Sequence, residues 1–133
     1  MAVPIRRISE KYAPVGKIGE GTYGLVYKAR MVNPSQGNAI TKSGAGPTGE
    51  SFVAVKKFKS FKSGDGISPT AIREIKLLRE LKNRYIVDLV DVMLDEEDKA
   101  LYLVFDYAEH DLLEMIRWHH ARSVSVDSFI FIY

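Results

Sequence analysis

Three glycines, Gly19, Gly21 and Gly24, have the G-x-G-x-x-G spacing of loops that approach phosphate groups. Because glycine has no Cβ atom, its backbone N–H groups can come close to phosphate oxygens. The spacing alone also fits an ordinary glycine-rich hairpin turn, and both interpretations stay open. A dinucleotide-binding loop would need a helix at the third glycine. Residues 25–27 are Leu, Val and Tyr, which favour a strand instead.

A lysine follows on the next apolar stretch. Lys56 ends the run Val-Ala-Val-Lys at residues 53–56 of a predicted third strand, residues 51–61. The two-residue period of a strand puts Ala54 and Lys56 on the same face. The small Ala54 would leave room for a flat base, and the lysine could reach a phosphate. The alternative is an ordinary lysine on an edge strand.

The clearest predicted helix runs from about residue 68 to residue 82, with Ser68 as its N-cap and Pro69 in its first turn. At about 100° per residue, Glu74 falls at the centre of an apolar side. That side consists of Ala71, Leu77, Leu78 and Leu81. A carboxylate there is costly unless it is paired, and Lys56 is the expected partner. The alternative is a glutamate at the helix edge that reaches solvent.

Ile72 lies about 160° around the same helix from Glu74, with Ile75 and Arg79 near it. One sheet cannot cover both sides of a helix. Ile72 is therefore either a single exposed apolar residue or part of a docking face for another protein. The sequence pattern leaves these two interpretations about equal.

The element order predicts an α+β fold, a five-stranded antiparallel sheet that carries one main helix. A loop rich in Gly, Ser and Pro at residues 32–51 and a turn at residues 63–66 separate the earlier elements. The predicted elements are strands within residues 12–31, 51–61, 85–94 and 101–107, the helix at 68–82, and a second helix at 110–122.

Length and composition narrow the class of protein. The chain has 133 residues, enough for about one domain, and 46% of them are apolar. The net charge of +2, from 19 basic and 17 acidic residues, argues against a dedicated nucleic-acid binder. There is no cysteine for a disulfide or a cysteine-based zinc site. With no apolar leader and no run of about 18 apolar residues, we expect a soluble, intracellular chain without membrane contact.

Four motifs, in this order, resemble the cyclin-dependent protein kinases. They are GEGTYGLVYKA at residues 19–29, VAVKK at 53–57, SPTAIREI at 68–75 and VFDYAEHDL at 104–112. The last motif, together with GDGISPTAIRE, is similar to the Mediator-associated kinases that pair with a C-type cyclin, above all the plant E-type members. The likeness covers about residues 8–120. It implies the small lobe of a protein kinase, a nuclear location, and cyclin contact through the Ile72 and Ile75 side of the helix.

The resemblance also implies ATP as the bound nucleotide. The loop from Gly19 to Gly24, which includes Glu20, Gly21, Thr22 and Tyr23, would cover the phosphates. Lys56 would contact the α- and β-phosphates and pair with Glu74, which makes these two the catalytic residues of this part of a kinase. The positions of Thr22 and Tyr23 are inhibitory phosphorylation sites in some relatives, where an added phosphate would repel those of the nucleotide.

The base and sugar would have their own contacts. These would be Ile18, Val26 and Ala54 against the adenine, Phe105 at the back of the pocket, the backbone of Asp106 and Ala108 along the adenine edge, and Asp111 beside the ribose.

Two motifs that kinases use for the chemical step are absent from these 133 residues: the H-R-D-x-x-x-x-N catalytic loop and the D-F-G magnesium segment. We therefore expect no metal ligand and no phosphotransfer by this chain; magnesium is expected only in a full-length kinase. The expected divisions are an extension at 1–11, the lobe and hinge at 12–110 with a 32–51 insertion, a first large-lobe helix at 111–122, and a tail at 123–133 unlike the family. The alternatives are a non-catalytic cyclin-binding module or a truncated gene-model product.

Overall fold

A five-stranded antiparallel sheet with one main helix organises the chain. The structure, a computed structural model, describes residues 7–21, 24–32, 51–58, 67–95, 97 and 99–122. Its elements are α1 (Ile8–Lys11), β1 (Tyr12–Gly21), β2 (Gly24–Met31), β3 (Phe52–Phe58), α2 (Pro69–Glu80), β4 (Leu89–Asp95), β5 (Ala100–Asp106) and α3 (Leu112–Arg122). The strand order is β1-β2-β3-β5-β4, with every neighbouring pair antiparallel. The predicted fold class is confirmed.

Several sequence predictions fall outside the described residues. These are most of the 32–51 loop, the 63–66 turn and the 123–133 tail. Within the described part of the chain, no helix is both long enough and apolar enough to cross a bilayer.

Two predicted features differ from the structure around α2. Ser68 precedes the helix, and its carbonyl accepts the Ile72 N–H at 3.1 Å, but its side chain makes no capping hydrogen bond. The strand predicted from residue 85 begins only at Leu89. Asn83 causes the delay, because its side-chain oxygen accepts the Tyr85 N–H at 3.0 Å and its carbonyl accepts the Ile86 N–H at 3.1 Å. These bonds form a turn where the apolar pattern predicted a strand.

The sheet is covered by apolar residues on both faces. On the inner face, which carries α2, the buried cluster is Phe58, Ala71, Val92, Leu101 and Leu103. On the outer face it is Tyr12, Ala29, Val53, Val55, Met93, Ala100, Tyr102 and Val104. Because β5 contributes to both clusters, alternate residues of this one strand join the two halves of the core.

The short helix α1, which the sequence did not reveal, is fastened to β4 across the outer face. The Ile8 N–H donates to Asp95 at 2.9 Å, and the Lys11 ammonium donates to Asp91 at 2.8 Å. The Tyr12 hydroxyl also donates to Asp91, at 3.2 Å. Burial, and secondly the Asp91 carboxylate, raise the pKa of the Tyr12 phenol above its ordinary value.

Under α1 lies a cavity of about 330 Å³. Its lining belongs to the outer face and includes Tyr12, Tyr27, Val55 and Tyr102. None of the site residues predicted from the sequence lines this cavity.

The raised pKa of Tyr12 predicts a pH effect on stability. Above about pH 10 the unfolded state loses the phenol proton while the folded state retains it, so the free energy of unfolding falls as pH rises. Tyr12→Phe removes this contribution. We expect a shallower alkaline decline for the variant than for the parent in urea denaturation between pH 9 and pH 11. An unchanged slope would show that Tyr12 titrates alike in both states.

Gly24 predicts a local packing constraint where β2 begins. Its φ is +150°, and an added Cβ would lie 1.9 Å from the carbonyl oxygen of Lys57. Gly24→Ala should therefore lower the free energy of unfolding by about 1–3 kcal/mol, measured by urea denaturation. Gly16→Ala is the matched control, since a Cβ there meets nothing within 4 Å. Equal stability of the two variants would contradict this packing.

Candidate functional site

Lys56 lies in the middle of the sheet. Its strand, β3, pairs with β2 on one side and β5 on the other, so Lys56 is not an edge-strand lysine. The ammonium donates a hydrogen bond to Glu74 Oε1 at 2.7 Å. The two side chains are 25% and 33% exposed. The pair is therefore close to solvent and accessible to a bound anion.

The packing of α2 explains why Glu74 can hold this position. The side of α2 that contacts the inner-face cluster is formed by Ala71, Ile75 and Leu78. This side is centred about 65° from Glu74, which lies at its edge and not at its centre as the apolar pattern predicted. A carboxylate at the edge keeps part of its hydration while it reaches Lys56, and this reduces the desolvation penalty.

Two leucines predicted on the buried side of α2 are exposed instead. Leu77 and Leu81 are 57% and 47% exposed. Ile75, which the sequence placed beside Ile72, is partly buried against the core. Ile72 itself is 53% exposed, on the side of α2 away from Glu74. The side of α2 that packs on the sheet is therefore not the side that the leucine positions predicted.

Strand register places small and apolar side chains on the same face as Lys56. Val26 pairs with Lys56 across β2 and β3, and Ala54 pairs with Phe105 across β3 and β5. Residues directly opposite each other in a sheet project to the same side. Val26, Ala54 and Phe105 are all partly exposed. They form an apolar patch beside the lysine, and a flat ring could lie on it.

The hairpin of β1 and β2 runs beside this patch. Gly21 pairs with Gly24 at its closed end, and Thr22 and Tyr23, between them, lie outside the described residues. A strand follows Gly24, where a dinucleotide loop would need a helix. A Cβ atom at Gly21 would meet nothing within 4 Å, so the backbone here is open to a ligand.

The remaining residues of this hairpin lie on β1. Gly19 pairs with Val26, and a register shift lies between Lys17 and Gly19. Ile18, at that shift, is half exposed. Glu20 forms an ion pair with Lys17.

The segment after β5 connects the sheet to α3. The Asp106 N–H donates to the Asp88 carbonyl at 3.2 Å, and Asp106 is buried. Ala108 is partly exposed. The Asp111 carboxylate accepts the Glu114 N–H at 2.6 Å and so caps the start of α3. The sequence did not indicate this capping role, and the expected position of Asp111 beside a ribose stays a prediction.

The site has the donor groups that a nucleotide phosphate requires. Open glycine backbone, a partly exposed ammonium and an adjacent apolar patch together suit an anion attached to a flat ring. Among the described residues, no group of three or more His, Asp or Glu side chains is placed to hold a metal ion. The residues present thus fit a nucleotide.

Comparison with known proteins gives the family. The model described as "Protein kinase domain" matches residues 12–131. Cyclin-dependent kinase E-1 of Arabidopsis thaliana is 51% identical over 113 residues, which cover 85% of this chain and 21% of that protein. Probable cyclin-dependent kinase 8 of Dictyostelium discoideum is 48% identical, with 84% and 26% covered. Serine/threonine-protein kinase SSN3 of Yarrowia lipolytica is 44% identical, with 86% and 26% covered.

The chain thus spans about a fifth to a quarter of the length of these relatives. The family match runs through the glycine hairpin, the strand of Lys56 and the helix of Glu74. The five-stranded antiparallel sheet with its helices is that of the small, N-terminal lobe of a kinase. This chain belongs to the protein kinase family.

Proposed function

We propose that this chain is the ATP-binding lobe of a cyclin-dependent Ser/Thr kinase of the transcription-associated, Mediator type. The observation that carries the proposal is the Lys56–Glu74 ion pair on a central strand, beside a glycine hairpin that is open to a ligand. The relatives whose names include "cyclin-dependent kinase" or "Serine/threonine-protein kinase" support the reaction class. A nuclear location and a C-type cyclin partner belong to the same proposal.

The residues of this lobe hold and orient the nucleotide. The Lys56 ammonium binds phosphate oxygens. Glu74 holds the lysine side chain in an extended position for this contact, through the 2.7 Å hydrogen bond from Lys56 Nζ to Glu74 Oε1. Val26 and Ala54 receive the adenine on the inner face, with Ile18 above it and Phe105 at the back. The backbone of Asp106 and Ala108 hydrogen-bonds to the adenine edge. Bound ATP supplies the phosphoryl group that a kinase transfers.

The chemical step needs groups that these 133 residues do not contain. Kinases use the Asp of a catalytic loop to accept the substrate proton and a D-F-G Asp with a loop Asn to hold magnesium. Neither motif occurs in the sequence. We propose that this chain contributes positioning of the nucleotide, and that it transfers no phosphate when it is alone.

The exposed side of α2 favours a second function, the binding of a cyclin without catalysis. Ile72 is 53% exposed on a helix whose opposite edge holds Glu74. A cyclin that covers Ile72 would press on α2 and hold Glu74 against Lys56. The same contact would let the lobe compete for a cyclin when it transfers no phosphate.

Nucleotide binding by the purified chain is the first test. We expect saturable binding of a fluorescent ATP analogue, mant-ATP, in a fluorescence titration. Lys56→Met should weaken binding by about tenfold or more, because it removes a charged hydrogen bond to phosphate. Lys57→Met is the control, since neighbouring residues of β3 project to opposite faces and Lys57 lines the outer cavity. No binding by the parent, or equal loss in both variants, would contradict the proposed site.

Cyclin binding is tested at the exposed isoleucine. We expect a purified C-type cyclin to bind the chain in isothermal titration calorimetry, with Ile72→Asp weakening the affinity by about tenfold or more, as at a buried interface centre. Thr70→Asp is the control, because it adds the same charge to an exposed position about 160° away on α2. Retained affinity in Ile72→Asp would place the cyclin elsewhere, and no binding by the parent would exclude the second function.

A further inference from the structure

We infer that Lys28 is a positioning residue, which holds the segment after β5 against β2 and β3 through its charge. The inference rests on the proposed function, in which the backbone of that segment receives the adenine. Whereas Lys56 contacts Glu74, Lys28 contacts two aromatic rings in the part of the chain that the structure describes. Its effect on the nucleotide would be exerted through Tyr107, which lies between Asp106 and Ala108 in the chain.

The Lys28 ammonium lies between two aromatic rings. Its Nζ atom is 4.3 Å from the ring centroid of Phe52 and 4.3 Å from that of Tyr107. The two rings contact each other edge to face, with centroids 6.5 Å apart and an interplanar angle of 61°. Both distances from Nζ to a ring centroid are well inside the limit of about 6 Å at which a ring face attracts a cation. We call Lys28, Phe52 and Tyr107 the cation clamp.

The cation clamp joins three separate segments of the chain. Lys28 belongs to β2, Phe52 is the first residue of β3, and Tyr107 follows the end of β5. Lys28 pairs with Ala54 in the sheet, so the clamp lies on the same inner face as the apolar patch of Val26, Ala54 and Phe105. The cation clamp therefore lies at the end of the apolar patch that is farther from Lys56.

The segment after β5 is held from a second direction as well. The Asp106 N–H donates to the Asp88 carbonyl, on the loop before β4. Tyr107 contacts β2 and β3, and Asp106 bonds the residue before β4, so two consecutive residues of this segment are held from different sides. An adenine edge needs donors and acceptors in fixed positions, since a displacement of about 1 Å weakens such contacts strongly.

The burial of the cation clamp makes its charge important. All three side chains are partly buried, and a cation over aromatic rings gains more when it is partly removed from water. A lysine could also act here only by packing, with its aliphatic stem covering the rings. Methionine separates the two roles, because it keeps an unbranched apolar side chain and removes the charge. Arginine keeps the charge and stacks on aromatic rings.

The experiment compares the 133-residue parent chain with the variants Lys28→Met and Lys28→Arg and with the control Lys57→Met. The control removes another ammonium near an aromatic ring, 5.5 Å from the Tyr102 centroid, on the opposite face of the sheet. The mant-ATP dissociation constant and the backbone amide chemical shifts of Asp106, Tyr107 and Ala108 are measured for each, with thermal denaturation to verify folding.

We expect Lys28→Met to weaken mant-ATP binding about three- to tenfold and to shift the three amide signals, with Lys28→Arg restoring both. Lys57→Met should leave both at the parent values. The inference is overturned if Lys28→Met behaves like the parent, or if Lys28→Met and Lys28→Arg change both quantities equally, which would indicate packing alone.

Two measurements keep this test separate from the proposed function. If the parent does not bind mant-ATP, the proposed function fails, while the amide shifts still decide whether Lys28 positions the segment. The Lys28 ε-methylene protons should show upfield ring-current shifts that Tyr107→Leu reduces. Tyr107→Leu also replaces Lys28→Met as the test variant if Lys28→Met does not fold. Ordinary ε-methylene shifts in the parent would show that the cation clamp does not form, and would overturn the inference.

Discussion

The ion pair between Lys56 and Glu74 depends on one packing arrangement, the contact of α2 with the inner face of the sheet. Ala71, Ile75 and Leu78 make that contact, and it turns Glu74 toward the sheet at the edge of the buried stripe. If α2 rotated so that Leu77 and Leu81 were covered, the carboxylate would lie at the centre of an apolar contact and lose its hydration. The observed rotation leaves leucine side chains exposed and keeps the charged pair close to solvent.

The alternation of a β-strand separates two regions that are adjacent in sequence. On β3, Ala54 and Lys56 face the candidate nucleotide site, whereas Val55 and Lys57 face the outer cavity under α1. The inner face holds a charged pair at one end and the cation clamp at the other, with the apolar patch of Val26, Ala54 and Phe105 between them. The outer face is held by hydrogen bonds from Ile8 and Tyr12 to acidic residues of β4. Contacts on both faces therefore stabilise the sheet, while one face remains available to position a ligand.

Membership of the protein kinase family and the geometry of this lobe are consistent with each other. In a kinase, a lobe of this kind binds the nucleotide. The relatives of this chain are about four to five times longer than the segment that matches them. The division explains why the sequence contains the Lys56–Glu74 ion pair but neither the catalytic-loop motif nor the D-F-G motif of a complete kinase.

The sequence alone determined the five strands, the helices α2 and α3, the strand-type glycine hairpin and the partnership of Lys56 with Glu74. These follow from local propensity, short spacing and the penalty for an unpaired carboxylate. Only the tertiary structure decided which stripe of α2 is buried, since Ala71, Ile75 and Leu78 compete with a leucine stripe of similar hydrophobicity. It also decided the late start of β4, where the side chain of Asn83 bonds the backbone of Tyr85. The cation clamp and the fastening of α1 join residues 24 to 87 positions apart, and sequence periodicity carries no information about such distant contacts.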